Sequence, residues 1–341
     1  MKALTITGVK KFELIEKPIP QSNGKKAVIK VSKAGVCGSD IHMVWAMGYS
    51  PAPNFVIGHE FSGTIVDPGD SPTLKVGDRV VAMEIDSCGQ CEYCLDGKPQ
   101  LCPHVLDGGP GIGSDGGYAE YVAVRHDMIR KLPDNVSDLA GALVEPASIS
   151  MHATKLAGVK EGSKVLVTGG GAIGLFAAAC AHALGASVVA ITEVNKERIE
   201  LARNSTFVTH VYDGTDTDLP DKLKEIVPNG FDAVIECSGN KSASTTGLNA
   251  LRTGGTMTFV AYGSQPDIDL FTFINTEKHI SGSVFFTFEE FELVIDLMSQ
   301  GKLDLTPFTK IIRMEDLQQI LEDLESGKEN AIKYVMDVEQ E

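Results

Sequence analysis

Cys88-Gly89-Gln90-Cys91-Glu92-Tyr93-Cys94, followed by Cys102, forms a C-x2-C-x2-C-x7-C run. Four thiolates at this spacing can close tetrahedrally on one zinc ion and leave no coordination position open, so the site they would make is structural. A set of four cysteines can also hold an iron–sulfur cluster. A second group of candidate ligands is dispersed over Val36-Cys37-Gly38-Ser39-Asp40-Ile41-His42, Gly58-His59-Glu60 and Glu145-Pro146. Each residue alone is more often a core side chain than a ligand. Together they supply one thiolate, one imidazole and two carboxylates. Three such ligands plus a water make an open zinc site of the kind that polarises an oxygen.

Gly169-Gly170-Gly171-Ala172-Ile173-Gly174 directly follows the apolar run Lys164-Val165-Leu166-Val167-Thr168, at the point where a strand must turn into a helix. Gly169 permits the tight turn and Gly171 lets the backbone approach a pyrophosphate. Gly174 lets helix pack close on strand, so that the helix start at Ala172 and Ile173 faces the anion. Glu193 ends the next predicted strand, 19 residues past Gly174. A carboxylate there accepts hydrogen bonds from the adenosine ribose hydroxyls and repels a 2′-phosphate, which selects NAD over NADP. Arg198 is a further cofactor-binding candidate.

Cys37-Gly38-Ser39-Asp40, Gly58-His59-Glu60, the four-cysteine lobe, Val144-Glu145-Pro146 and the glycine fingerprint stand in an order and spacing that resemble one family. This is the zinc-containing medium-chain dehydrogenase/reductase family of alcohol, sorbitol, butanediol and threonine dehydrogenases, and the resemblance covers essentially the whole chain. It implies a GroES-like first domain, with the cofactor domain inserted between its two segments, and decides for zinc over iron and sulfur. By resemblance, Cys37 and His59 are catalytic zinc ligands, Glu60 or Glu145 is the third, and Cys88, Cys91, Cys94 and Cys102 hold a second, structural zinc. The chain departs from the classical alcohol dehydrogenases, which place a cysteine where Glu145 stands; the carboxylate is similar to the polyol and butanediol branch. Pro146 is expected to bias Glu145 toward an extended backbone.

The implied reaction is NAD-linked oxidation of a secondary alcohol. Zinc lowers the pKa of bound water from about 16 to about 7, which at ~1.4 kcal/mol per unit is on the order of 12 kcal/mol toward the anion. The alcohol proton would leave through Ser39 and then His42, a pair that resembles the family's relay, and the hydride would pass to nicotinamide. Family resemblance also implies a homodimer or homotetramer.

These residues need a frame to hold them. The first ~145 residues carry short strand signals separated by Gly and Pro turns: Leu4 to Thr7, Phe12 to Ile15, Ala27 to Val31, Gly63 to Val66, Arg79 to Ala82 and Tyr118 to Val124. From Gly162 strands alternate with helices, with further strands at Ser187 to Thr192, Phe231 to Glu236, Thr256 to Ala261 and Ile280 to Val284. Phe288, Phe291, Ile295 and Met298, and later Leu317, Ile320, Leu321 and Leu324, fall at helical spacing. The fold expected is α/β: a GroES-like β-barrel catalytic domain plus a doubly wound, parallel-sheet Rossmann domain. The boundaries expected are 1–146 for the catalytic domain, with the zinc lobe at about 86–104, 147–285 for the NAD-binding domain, and 286–341 for the return to the catalytic domain.

The bulk properties fit. A chain of 341 residues exceeds one ordinary hydrophobic core. Its formal charge of −16 repels phosphate backbones and anionic membranes, which argues against nucleic acid and membrane partners. The start, Met1 to Gly8, has no apolar core of signal-peptide length, which points to the cytoplasm.

Asp40 to Ile57, expected to line the substrate cleft, carries Met43, Val44, Trp45, Met47, Tyr49 and Phe55 but no Lys or Arg. A sugar phosphate or the carboxylate of threonine would want such a cation. Sorbitol-type dehydrogenases commonly carry an arginine in the segment resembling Ser283-Val284-Phe285-Phe286-Thr287, where this chain has two phenylalanines. The reading is a small vicinal diol or hydroxyketone of the 2,3-butanediol and acetoin type, with a sugar polyol or threonine as alternatives. A non-catalytic zinc protein of the same fold is the alternative of a different class.

Overall fold

The computed structural model describes residues 1–8, 10–40, 54–326, 328 and 331–339. The chain divides into two compact units, Met1–Glu145 with Thr287–Glu341, and Pro146–Phe286.

The N-terminal segment is built on strands β1 (Lys2–Gly8), β2 (Lys11–Glu16), β3 (Lys26–Gly35), β4 (Glu60–Asp67), β5 (Arg79–Ala82), β6 (Tyr121–Arg125) and β7 (Ile129–Lys131). β1 and β2 form an antiparallel pair. β3 reads Ala27-Val28-Ile29-Lys30-Val31 and is buried along most of its length, as befits a strand with neighbours on both edges. It pairs antiparallel with β4 and β6, and Gly35, its last residue, faces Glu60, the first residue of β4.

The second unit is a six-stranded parallel sheet: β8 (Lys164–Thr168), β9 (Val188–Glu193), β10 (His210–Asp213), β11 (Phe231–Glu236), β12 (Leu251–Phe259) and β13 (His279–Gly282). The strand order is β10-β9-β8-β11-β12-β13, the doubly wound arrangement whose order reverses beside β8. The helix Ala172–Ala183 is apolar on every side because all of Gly174 to Ala181 is buried. Among the described residues no helix is long and apolar enough to cross a membrane.

The C-terminal segment returns to the first unit. A capping box between Thr287 and Glu290 starts the helix Phe288–Ser299. Strands β14 (Thr309–Arg313) and β15 (Lys333–Asp337) then complete the sheet β14-β15-β3-β4-β5-β7. Between them the helix Leu317–Glu325 presents Leu317 and Leu321, one turn apart, to a core that includes Ile29, Val31, Phe61, Ile65, Tyr118 and Met336.

The strand signals at Arg79 to Ala82 and Phe231 to Glu236 coincide with β5 and β11, whereas β12 starts earlier than its signal and β6 later. Strands β7, β10, β14 and β15 carry only three to five residues each, too few for alternation to stand out.

Candidate active site

Strand register builds the first site. Because Gly35 faces Glu60 on β4 and Val335 on β15, the residues just past Gly35 meet His59 and Glu60 from one side and the start of β15 from the other. A Cβ on Gly35 would stand 2.1 Å from Glu60 Oε2, so a side chain there would expel the carboxylate. The ligand atoms of Cys37, His59 and Glu60 lie within 4.8 Å of one another, and His59 and Glu60 are buried.

Behind them stands Asp40, 1% exposed. One of its oxygens is 2.6 Å from the Tyr118 hydroxyl and accepts from the Cys37 amide at 3.1 Å. The other lies 3.5 Å from His59 Nδ1. A carboxylate behind an imidazole fixes the ring's tautomer and orientation, as metal-ligating histidines require. From β15, Lys333 donates to Glu60 at 2.6 Å and to the Val36 carbonyl at 2.9 Å.

The charge balance tests whether a metal fits. Cys37, Asp40, Glu60, Glu84 and Glu145 surround two potential cations, His59 and Lys333. Burial, and then the neighbouring Glu84, push the Glu145 carboxyl well above the usual carboxylate range. Burial also raises Glu84 and Asp40, against the pull of His59. Burial alone would lower the proton affinity of His59, but Asp40 and Cys37 overcome it and carry the imidazole well above its ordinary value. Every one of these shifts favours adding positive charge. A divalent cation on a soft thiolate, an imidazole and a carboxylate meets that demand, and the donor set is of the kind that suits zinc.

Glu145 corrects one expectation. It occupies the first turn of the helix Val144–Leu156 rather than extended backbone, because Pro146 also sits in that first turn, where the missing N–H would have had no intrahelical partner. Glu145 is 5% exposed and lies against Glu84, but outside the Cys37, His59 and Glu60 group. Ser39 is exposed in the helical turn 38–40. His42 lies outside the described residues, as do Met43, Val44, Trp45, Met47 and Tyr49. Phe55, expected in the cleft, packs instead against the core of its own unit, and Phe286 is fully buried. Phe285 adopts the left-handed φ of 51°. The sequence reading missed Glu84 and Lys333. The only available signal was a single acid or base inside an apolar run, Val80 to Ile85 for Glu84 and Ile332 to Met336 for Lys333.

The four cysteines form the second centre. Their sulfurs all lie within 4.8 Å of one another, with Cys91 to Cys94 at 3.4 Å and Cys88 to Cys94 at 4.0 Å. These separations are far beyond a disulfide. They match the edge of a tetrahedron with ~2.3 Å zinc–sulfur bonds, which is about 3.8 Å. Backbone amides of Cys91, Cys88 and His104 donate to the sulfurs at 3.4 Å. Amide donation from Gln90 and Cys91 lowers the Cys88 thiol to about 6, while burial and the Cys91 sulfur raise Cys94 to about 11.

In the second unit the glycine loop joins β8 to the helix Ala172–Ala183, with Gly171 as its N-cap. A Cβ on Gly174 would fall 1.9 Å from the Gly169 carbonyl, so only glycine closes this turn. Glu193 ends β9; its carboxylate accepts from the amides of Gly170 at 2.7 Å, Val194 at 2.6 Å and Asn195 at 2.9 Å. Arg198 reaches the same loop, its Nη1 3.8 Å from where a Cβ on Gly171 would stand, and its buried Nε has no hydrogen-bond partner among the described residues. The loop thus offers free helix-start amides, a carboxylate and a guanidinium, which fit a dinucleotide.

Comparison with known proteins agrees. Residues 23–134 match the alcohol dehydrogenase GroES-like domain, and residues 172–300 match the zinc-binding dehydrogenase domain. A sorbitol dehydrogenase of Halalkalibacterium halodurans is 34% identical, covering 98% of this chain and 99% of the relative. An Escherichia coli alcohol dehydrogenase solved with NADH is similar at a TM-score of 0.90 and 26% identity, covering 99% of both chains. The 2R,3R-butanediol dehydrogenase of Bacillus subtilis gives a TM-score of 0.87 and 26% identity, covering 98% of this chain and 99% of that one. The chain belongs to the zinc-dependent, NAD-linked alcohol and polyol dehydrogenases of the medium-chain dehydrogenase/reductase family.

Proposed function

We propose that this enzyme oxidises a small vicinal diol, or reduces the matching hydroxyketone, of the 2,3-butanediol and acetoin type. The observation that carries the reading is the convergence of Cys37 with the buried His59 and Glu60 in surroundings short of positive charge. Zinc bound there supplies the Lewis acidity that loosens an alcohol's proton at neutral pH, and NAD supplies the hydride acceptor. Cys37 and His59 hold the metal with Glu60 as the third protein ligand, while Glu145 lies next to that set. Asp40 orients His59, and Tyr118 orients Asp40. Ser39, exposed two residues past Cys37, passes the alcohol proton outward, with His42 as its partner. The glycine loop grips the pyrophosphate and Glu193 the ribose.

The same charge pattern bears on substrate. Asp40, Glu84 and Glu145 offer a carboxylate or a phosphate no positive charge, and Lys333 is engaged by Glu60. Threonine and sugar phosphates are therefore disfavoured. A sugar polyol is the second reading, supported by the 34% identity to a sorbitol dehydrogenase. Comparing kcat/KM for 2,3-butanediol, sorbitol, xylitol and threonine with NAD tests the choice, and a large advantage for sorbitol or threonine overturns it.

A homo-oligomer is also proposed. β13 ends the parallel sheet with an open edge, and Leu270, Phe271 and Ile274 stand 66–77% exposed in the same unit. A monomeric solution mass would refute it.

A further inference from the structure

Glu84 sits on the loop that leaves β5, two residues past Ala82, and is 1% exposed. Apart from its own backbone amide and the Glu145 carboxyl beside it, neither of its carboxyl oxygens has a hydrogen-bond partner among the described residues. Its neighbours are the Glu145 carboxyl and the charges of His59 and Glu60, so it faces the candidate zinc site. It is not one of the side chains whose ligand atoms converge there. The lysine of the site cannot serve it, since Lys333 is held by Glu60 and the Val36 carbonyl.

A buried carboxyl whose only side-chain partner is a second acid is costly, and a folded protein tolerates one where another molecule completes it. The apolar stretch around Glu84, from Val80 to Ile85, gives the residue no packing reason to be acidic. We propose that Glu84 is a specificity-determining residue, whose carboxyl hydrogen-bonds the substrate hydroxyl next to the one being oxidised. A hydroxyl both donates and accepts, so it fits the Glu84 and Glu145 pair whichever oxygen carries a proton. A vicinal diol or polyol satisfies the pair. A monohydric alcohol leaves the two acids with only each other, and sites built to bond a substrate hydroxyl reject analogues that lack it strongly. The inference rests on the dehydrogenase reading above and adds the group that reads the second hydroxyl.

The test compares kcat/KM for 2,3-butanediol and 2-butanol in the wild type, Glu84→Leu and Glu84→Gln, with zinc content measured on each protein. The wild type is expected to favour the diol by roughly a hundredfold or more. Glu84→Leu should lower the diol-to-monoalcohol ratio at least tenfold, mainly through KM for the diol, with zinc content unchanged. Glu84→Gln, which keeps a polar terminus, should fall between. Equal losses on both alcohols, or loss of zinc from either variant, would overturn the assignment. If the leucine variant does not fold, the glutamine variant and the wild-type ratio decide, and a wild type indifferent between the two alcohols refutes the proposal alone. A wild type that oxidises no alcohol overturns the dehydrogenase reading instead.

Discussion

Lys333 reaches from the C-terminal strand to Glu60 at the start of β4, with Nζ 2.6 Å from one carboxylate oxygen and 2.5 Å from the other. Both side chains are buried, at 4% and 1% exposure. The pair ties the returning C-terminal segment to the residue beside His59, so a contact that looks like fold stability also sets how strongly Glu60 is available to a metal.

Removing the lysine should therefore have a metal-dependent cost. Lys333→Met leaves Glu60 buried without its partner, a loss on the order of 3–5 kcal/mol in the metal-free protein. Zinc replaces the missing charge, so the loss should shrink when zinc is bound. Denaturant unfolding with and without a chelator measures both numbers. An equal loss in the two states would show that Glu60 does not face the metal.

Cys37→Ser should abolish turnover while leaving the fold and NAD binding largely intact. The residue is a proposed ligand of the open site, and the glycine loop belongs to the other unit. NADH titration and a thermal melt establish the second half of the expectation. Full activity in this variant would remove the catalytic-zinc assignment.

Cys94→Ser should act in the opposite order. A closed thiolate site contributes folding free energy, so stability or solubility falls before chemistry does, and zinc per chain drops from two toward one. A normal melting temperature with a selective loss of rate would contradict a structural role.

How much of this was readable from residues alone follows from how local each signal is. The cysteine run and glycine loop are local, because the chemistry demands particular residues a few positions apart. Cys37, His59 and Glu60 are each ordinary alone and stand out only through the order and spacing that resemble the family, and their meeting depends on the β3 and β4 register. Lys333 and Glu60 are 273 residues apart, and nothing near either names the other. Glu84 was hidden for a related reason: a lone acid in an apolar run has no meaning until its neighbours are known. Pro146 misled, since the rule that extends the preceding residue yields where proline fits a helix's first turn.

The last prediction concerns cofactor choice. Glu193 accepts three backbone amides, and a carboxylate has about four acceptor positions, so room remains for a ribose hydroxyl. Its charge repels a 2′-phosphate, which should give the wild type a clear preference for NAD. Arg198 works against that preference, since a guanidinium with a free Nε near the same loop is what a 2′-phosphate would seek. Glu193→Ser should thus lower kcat/KM for NAD and raise it for NADP, moving the ratio by a hundredfold or more on the scale of a charged contact of about 3 kcal/mol. Adding Arg198→Ala should erase the gain for NADP while leaving the loss for NAD. The glycine loop provides the control, because Glu193 also holds the Gly170 amide: if the serine variant loses both cofactors in proportion, the carboxylate serves the loop and not the choice. A wild type that uses NADP as well as NAD would refute ribose selection by Glu193 without any mutant.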